Sequence, residues 1–305
     1  LVLGTLPLPA EIAVQQEGSN LRIEIDGKPF TTYRTDTRVP CLHPLMSGGG
    51  THLTRRFPFE KNVAGERPDH PHHIGFWFAH GAVNGHDFWH PGDGTRIVTK
   101  GFVGKPVVEE LDDSGSRASF TVDLAWLAGD RTLLSEQRTY AIHAAGPTRT
   151  IDVTCRLHAT EREVVFGDTK EGSFAIRVAP TLRLKGKVAR GHITTSAGRT
   201  NHEAWGQRAK WVAYHGPDAA GTPTVVALLD HRANLRHPTW WHARDYGLLT
   251  ANPFGIRAFK ARDHQGSGTH TLKKDETLTQ RYRLVLHQGD LASAKLEERW
   301  EAFTK

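Results

Sequence analysis

Six of the chain's 19 histidines fall between positions 70 and 90. Histidine titrates near neutrality and is the commonest metal ligand. The string Asp69-His70-Pro71-His72-His73-Ile74-Gly75-Phe76-Trp77-Phe78, followed by Asn84-Gly85-His86-Asp87-Phe88-Trp89-His90, is therefore the first place to look for chemistry. In an extended chain His70 and His72 would share one side and His73 would face the other. Such imidazoles can exchange protons with a substrate, bind a divalent ion together with a third group, or hydrogen-bond an ordered loop. A second candidate is Gly167-Asp168-Thr169-Lys170-Glu171-Gly172, ahead of an apolar run at 174–178. Its glycines let backbone approach a ligand. Glu171, with Lys170 and Arg177 nearby, would stay ionised and could act as a general base; the plain alternative is a polar turn. The third is Trp240-Trp241-His242-Ala243-Arg244-Asp245-Tyr246-Gly247 with Asn252-Pro253-Phe254. One of two adjacent tryptophans should face outward, and aromatic faces beside forked polar groups suit a sugar. The alternative there is a loop packed over a sheet edge.

These strings assign His72 or His73 as acid and Glu171 as base. Asp69, Trp77, Lys170, Arg177, Trp241, His242, Arg244, Asp245 and Asn252 are assigned to substrate contact. The cofactor is either none or a divalent metal ion, and a metal would take His70, His72 and His242.

The elements that must position these groups repeat with a period of two. Leu21–Ile25, Phe120–Trp126, Ile151–Leu157, Phe174–Val178 and Tyr282–Leu286 each alternate apolar and polar residues, the mark of strands with one buried face. Thr224–Leu229 is an unbroken apolar run that suits a strand covered on both sides. Turn signals recur at Asp26-Gly27, Asp113-Ser114-Gly115 and Ala128-Gly129-Asp130. One helix is expected near the end, capped by Asp290, with Ala292, Leu296, Trp300 and Phe303 on one stripe. The fold class is all-β: a large antiparallel β-sandwich with a C-terminal helix, read as one domain over residues 1–305.

Composition narrows the function. The chain is 305 residues long, 38% hydrophobic and 24% charged, as packed proteins are. Its net charge of +6 is scattered, and the longest basic runs are pairs such as Arg55–Arg56 and Lys273–Lys274; nucleic-acid binding wants a concentrated stripe. No apolar run approaches 18 residues, so no membrane span is expected. Cys41 and Cys155 cannot make a disulfide framework, and Leu1–Ala10 lacks a basic leader. A reducing, cytoplasmic setting is the expectation. No serine elbow, P-loop or dinucleotide fingerprint occurs.

The strings at 69–78 and 83–89, with Asp168–Gly172, Trp240–Gly247 and Ala251–Gly255, resemble a bacterial family labelled "PmoA-like". The label concerns methane oxidation, but the particulate methane enzyme is a membrane protein and this chain has no span. Members occur beside sugar dehydrogenases and isomerases, which implies carbohydrate catabolism. The strand pattern also resembles the galactose-mutarotase-like supersandwich, whose mutarotases use a His and a Glu. The resemblance implies a carbohydrate-active isomerase, epimerase or lyase working by His/Glu proton transfer on a small-molecule carbohydrate. Two alternatives stand beside it: a divalent-metal-dependent lyase or hydrolase of a 3-keto-glycoside, and a non-catalytic sugar-binding module.

Overall fold

Period-two alternation does build the strands. The computed structural model describes residues 10–92, 94–111, 115–260 and 266–305; the opening 1–9 and the Asp113–Ser114 turn lie outside them. Five strands open one sheet: β1 (Ile12–Glu17), β2 (Asn20–Ile25), β3 (Lys28–Arg34), β4 (Cys41–Leu42) and β5 (Phe76–His80). The chain then crosses to a second sheet for β6 (Thr95–Phe102), β7 (Val107–Glu110), β8 (Ser116–Ala128), β9 (Arg131–Ala145) and β10 (Thr148–His158). After β11 (Val164–Phe166), β12 (Gly172–Arg177) returns to the first sheet. The second sheet gains β13 (His192–Thr195), β14 (Trp211–Pro217) and β15 (Pro223–Asp230). Strands β16 (Trp240–Ala243) and β17 (Leu248–Asn252) complete the first sheet, β18 (His270–Leu272) pairs with β11, and β19 (Thr277–Gln288) enters the second sheet before the helix α1 (Leu296–Thr304).

The first sheet runs β1-β2-β3-β4-β5-β12-β17-β16. The second runs β13-β14-β15-β19-β10-β9-β8-β6, with β7 also on β8. All these pairings are antiparallel. Aromatic side chains join the sheets face to face: Phe174 stacks on Tyr282 at 4.8 Å, and Phe78 meets Trp126 at 5.7 Å. Burying each such ring contributes about 1.5–3 kcal/mol.

Several local expectations change. Strand β12 is buried along its whole length, because loops cover the face that alternation marks as outward. Asp290 caps the turn before the helix, taking the Ser293 N–H at 2.8 Å, while α1 begins after Lys295 in a left-handed conformation. Ala294, not Ala292, packs with Leu296 and Trp300. Cys41 and Cys155 are buried free thiols, both held protonated by burial. Among the described residues no helix is long and apolar enough to cross a membrane.

Candidate functional site on the outer face of the first sheet

Trp77, Ala175, Thr250 and His242 stand opposite one another across β5, β12, β17 and β16. Their neighbours Phe76, Phe78 and Phe174 point into the core, so this row belongs to the face turned away from the second sheet. Arg177 lies two residues beyond Ala175 on the same face. The loops at 69–73, 86–90, 168–171 and 244–247 close over it.

The 69–73 block is a turn, not an extended strand. His73 donates its N–H to the His70 carbonyl at 3.0 Å, and His70 sits at φ 43°. The cause is Arg55, whose buried guanidinium gathers the carbonyls of Asp69, His70 and His73 at 2.7, 2.7 and 3.1 Å. The turn therefore puts His70 and His73, rather than His70 and His72, on a shared side: their rings stack at 4.8 Å and 8°. His72 meets His73 edge-on at 4.4 Å. Trp77 lies under His73 at 5.6 Å, so this buried indole supports the imidazole instead of touching substrate.

Asp69 receives two arginines, Arg55 at 2.8 Å and Arg177 at 3.1 Å. Burial works to raise its pKa, but Arg177, His70 and Arg55 outweigh it and hold the carboxyl below its usual value. Arg177 also donates to His73 Nδ1 at 2.9 Å, which places the imidazole proton on Nε2. Burial first, then Arg177, pushes His73 far below its ordinary pKa. Burial, with His90, His70 and Arg38, lowers His72 to about 4. Burial, with Arg177 and Arg55 around His73 and with Arg38 around His72, favours the neutral form of both rings, so either would act through a neutral N–H or a bare nitrogen rather than as a standing cation.

Glu171 enters from the end of β12 opposite Arg177 and reaches the same face. Its charge favours the protonated forms of both His72 and His242 and raises Tyr246, whose main shift comes from burial. Its side chain is 19% exposed and pairs with Lys170. The Lys170 carbonyl accepts His242 Nδ1–H at 2.9 Å, leaving Nε2 bare in the neutral ring. Burial lowers His242 to about 4 against the opposing pull of that carbonyl and of Glu171. The 168–171 loop is pinned from outside: Asp168 takes the N–H groups of Arg257, Ala258 and Gly268.

Two assigned side chains, Trp241 and Asn252, are engaged within the fold, and Asp245 makes backbone contacts. Trp241 faces the core and donates to the Ala209 carbonyl at 2.9 Å; Trp240 does face outward, but Trp205, Ile256 and Phe259 roof it. Asn252 is fully buried and holds the Thr169 carbonyl at 2.8 Å. Asp245 uses its carbonyl to fix the Leu184 and Lys185 N–H groups. The metal set His70, His72 and His242 is not assembled: no three His, Cys, Asp or Glu among the described residues are grouped to hold an ion. No step is derived through a metal.

Residues outside the assigned set complete the face. Tyr246 stacks on His70 at 5.2 Å and 11°, with Arg177 at 4.5 Å and Arg244 at 5.5 Å from its ring. The Tyr246 hydroxyl and the Arg244 guanidinium make no hydrogen bond among the described residues. His90, fixed by Asp87 at 2.8 Å, lies 4.8 Å from His72. A cleft of about 280 Å³ opens beside His72, between Arg38, Phe59 and Pro91. Tyr246 follows Arg244 in the string already quoted, and that was its available signal; Arg55 had only the appearance of half a basic pair.

The sequence pattern of the DUF6807 family, described as a family of unknown function, matches residues 20–301; the chain belongs to this family. That description does not carry the "PmoA-like" label suggested by the motif strings. No curated protein matches the chain. Among solved structures, the galactosidase domain of the alpha-galactosidase-sucrose kinase AgaSK is similar over 92% of this chain and 42% of its own, at 9% identity and a TM-score of 0.45. The GH36 alpha-galactosidase AgaA from Geobacillus stearothermophilus, in complex with stachyose, is similar over 92% and 41%, at 8% identity and a TM-score of 0.41. The chain thus spans about two fifths of the length of these proteins.

Proposed function

We propose that this DUF6807 protein is a carbohydrate-active enzyme of the isomerase, epimerase or lyase type, and that it moves a proton on a sugar bound to the outer face of the first sheet. The observation that carries this reading is a surplus of cationic charge beside neutral imidazoles. Arg55 and Arg177 share the single carboxylate of Asp69, and Arg244 adds a guanidinium without a partner among the described residues. A site of that charge favours a ligand that is, or becomes, negative. Abstracting a proton next to a carbonyl creates such a charge on the carbonyl oxygen. Glu171 takes the proton from the carbon and Arg244 faces the developing oxyanion; in an isomerisation Glu171 then returns the proton to the adjacent carbon while the neighbouring hydroxyl proton passes to the oxyanion, leaving the carbonyl on the first carbon. His72 and His242, both neutral, hydrogen-bond hydroxyls. The stacked rings of His70 and Tyr246 offer a flat surface for the C–H face of a pyranose.

Proton NMR in D₂O tests it with a panel of aldoses, ketoses, uronates and 3-keto-glucosides. The expected result is protein-dependent loss of one C–H signal, slowed about two to four orders of magnitude by Glu171→Gln. Ligand-induced stabilisation without exchange would instead identify a non-catalytic sugar-binding module. Exchange unaltered by both Glu171→Gln and His72→Gln would sink the residue assignment.

A further inference from the structure

The short ladder that carries Arg55 and Arg177 continues away from the histidines. Thr54 bridges Val178, and Ala179 donates its N–H to the Leu53 carbonyl at 2.8 Å. Past its end, the segments 50–66 and 179–190 enclose a cleft of about 620 Å³. The two walls are tied together by Arg183, which donates to the Gly65 carbonyl. The volume lies in the range that small-molecule sites occupy, roughly 300–1,000 Å³, and no residue lining it belongs to the histidine site.

Two kinds of side chain make this cleft unlike a crease between loops. Thr181 Oγ1 and His52 Nδ1 both lie buried against it without a hydrogen-bond partner, and Thr181 is only 7% exposed. Buried polar atoms are rarely left unmatched, because each costs about 1–3 kcal/mol. Two of its cations also lack a direct carboxylate contact, because the nearby carboxylates are engaged by other donors. Glu66 lines the cleft, but both its oxygens are committed to the N–H groups of Arg56 and Phe57 at 2.9 and 2.7 Å. Arg56 is paired with Glu60. Lys187 has no carboxylate partner among the described residues, and the Arg190 guanidinium donates there only to the neutral Asp218 carbonyl, at 3.2 Å. The Asp218 carboxylate is itself occupied by Thr51, Ala220 and Thr222. Val63, Pro180 and Val188 supply an apolar wall.

We propose that this cleft is a second binding site, for a small anionic molecule of sugar size, whose carboxylate or phosphate is held by Lys187 and Arg190 and whose hydroxyls meet Thr181 and His52. Two cations at the rim, unmatched polar atoms at depth and an apolar wall fit an acidic sugar or sugar phosphate better than a neutral or purely apolar ligand.

Titration calorimetry of the full chain with glucuronate, glucose 6-phosphate, inorganic phosphate and glucose tests the proposal. At least one of the two anionic sugars should bind, with glucose and inorganic phosphate each about tenfold weaker or more. The pair Lys187→Gln and Arg190→Gln, both exposed positions, should weaken that binding about tenfold or more, since a charge-assisted contact is lost at each. Thr181→Val should weaken it less, with an unchanged circular dichroism spectrum. Glucuronate against glucose 6-phosphate identifies which anion is preferred. The proposal is overturned if neither anionic sugar binds, if glucose or inorganic phosphate binds as well, or if the double variant binds unchanged. It is equally overturned if Glu171→Gln, not the double variant, weakens binding, because the probe would then occupy the histidine site.

Discussion

Two buried arginine–carboxylate clusters in this molecule use the same side chains and reach opposite conditions. Between the sheets, Glu136 and Arg138 on β9 are both wholly buried and meet through two contacts of 2.6 and 2.8 Å. Trp126 adds an indole donor to Glu136 at 2.8 Å, and Arg138 reaches the Tyr140 hydroxyl at 3.3 Å. One cation faces one anion, and the network is closed. On the outer face of the first sheet, Arg55 and Arg177 converge on Asp69 alone. Asp69 is about one-third exposed, and the Nε atoms of both arginines are buried without partners. A closed pair leaves no charge over, whereas the open cluster leaves one guanidinium in excess of its carboxylate.

The largest effect that could break this contrast is on stability. Arg138→Met strands a buried carboxylate and should cost about 3–5 kcal/mol, read from the urea midpoint at unchanged slope. Adding Glu136→Leu should restore most of that loss, since neither charge then remains. Arg177→Met should cost less than Arg138→Met, because Arg55 still neutralises Asp69 and a like-charged neighbour is gone. Equal losses in the two single variants would erase the distinction between a closed and an open cluster.

A smaller effect sharpens the point that this fold keeps its buried histidines neutral. His80 is completely buried, with its nitrogens on the Gly167 carbonyl and the Ser173 hydroxyl. Burial lowers it from 6.5 to about 4. The unfolded chain therefore binds this proton more readily than the folded one. Its contribution is complete above about pH 6.5 and declines as the pH falls toward 4. Between pH 7 and pH 5 this single ring should account for about 2 kcal/mol of lost stability. His80→Gln, which keeps a donor for Gly167, should flatten the stability–pH curve by about that amount in urea titrations at the two values. An unchanged slope would mean that His80 is already solvated.

The sequence carried the sandwich and much of the face, but not its contacts. Alternation located β2, β8, β10 and β19 because their outer residues are solvated and the core decides the rest. It misjudged β12, where the 168–171 loop and the 69–73 turn cover residues that alternation marks as exposed. The histidine string was legible as a cluster of side chains, but its conformation was not, because the turn depends on Arg55 reaching three carbonyls up to 18 residues away. Trp240 and Trp241 obeyed the rule that neighbours face opposite ways. The outward one still became buried, under Trp205 and a loop that composition could not place. Tyr246 and His90 were visible only as letters in a string, since what distinguishes them is stacking on His70 and proximity to His72.

The smallest predicted effect concerns Lys170, which by charge alone belongs with the arginines. Its side chain is 47% exposed and pairs with Glu171 at the rim, and exposed ion pairs are worth about 0–1 kcal/mol. Its structural contribution is made by its backbone carbonyl, which fixes the tautomer of His242 and survives any substitution of the side chain. Lys170→Met should therefore change turnover in the proton-exchange assay by less than about fivefold, with His242 still accepting at Nε2 in its NMR tautomer signature. Raising the salt concentration should mimic the small change in the wild-type protein, because an exposed pair is screened while the buried arginines are not. A loss in Lys170→Met as large as in Glu171→Gln would place the ammonium against the reacting atoms. The charge that matters at this face would then come from its rim, not from the open cluster of Arg55, Arg177 and Asp69 beneath it.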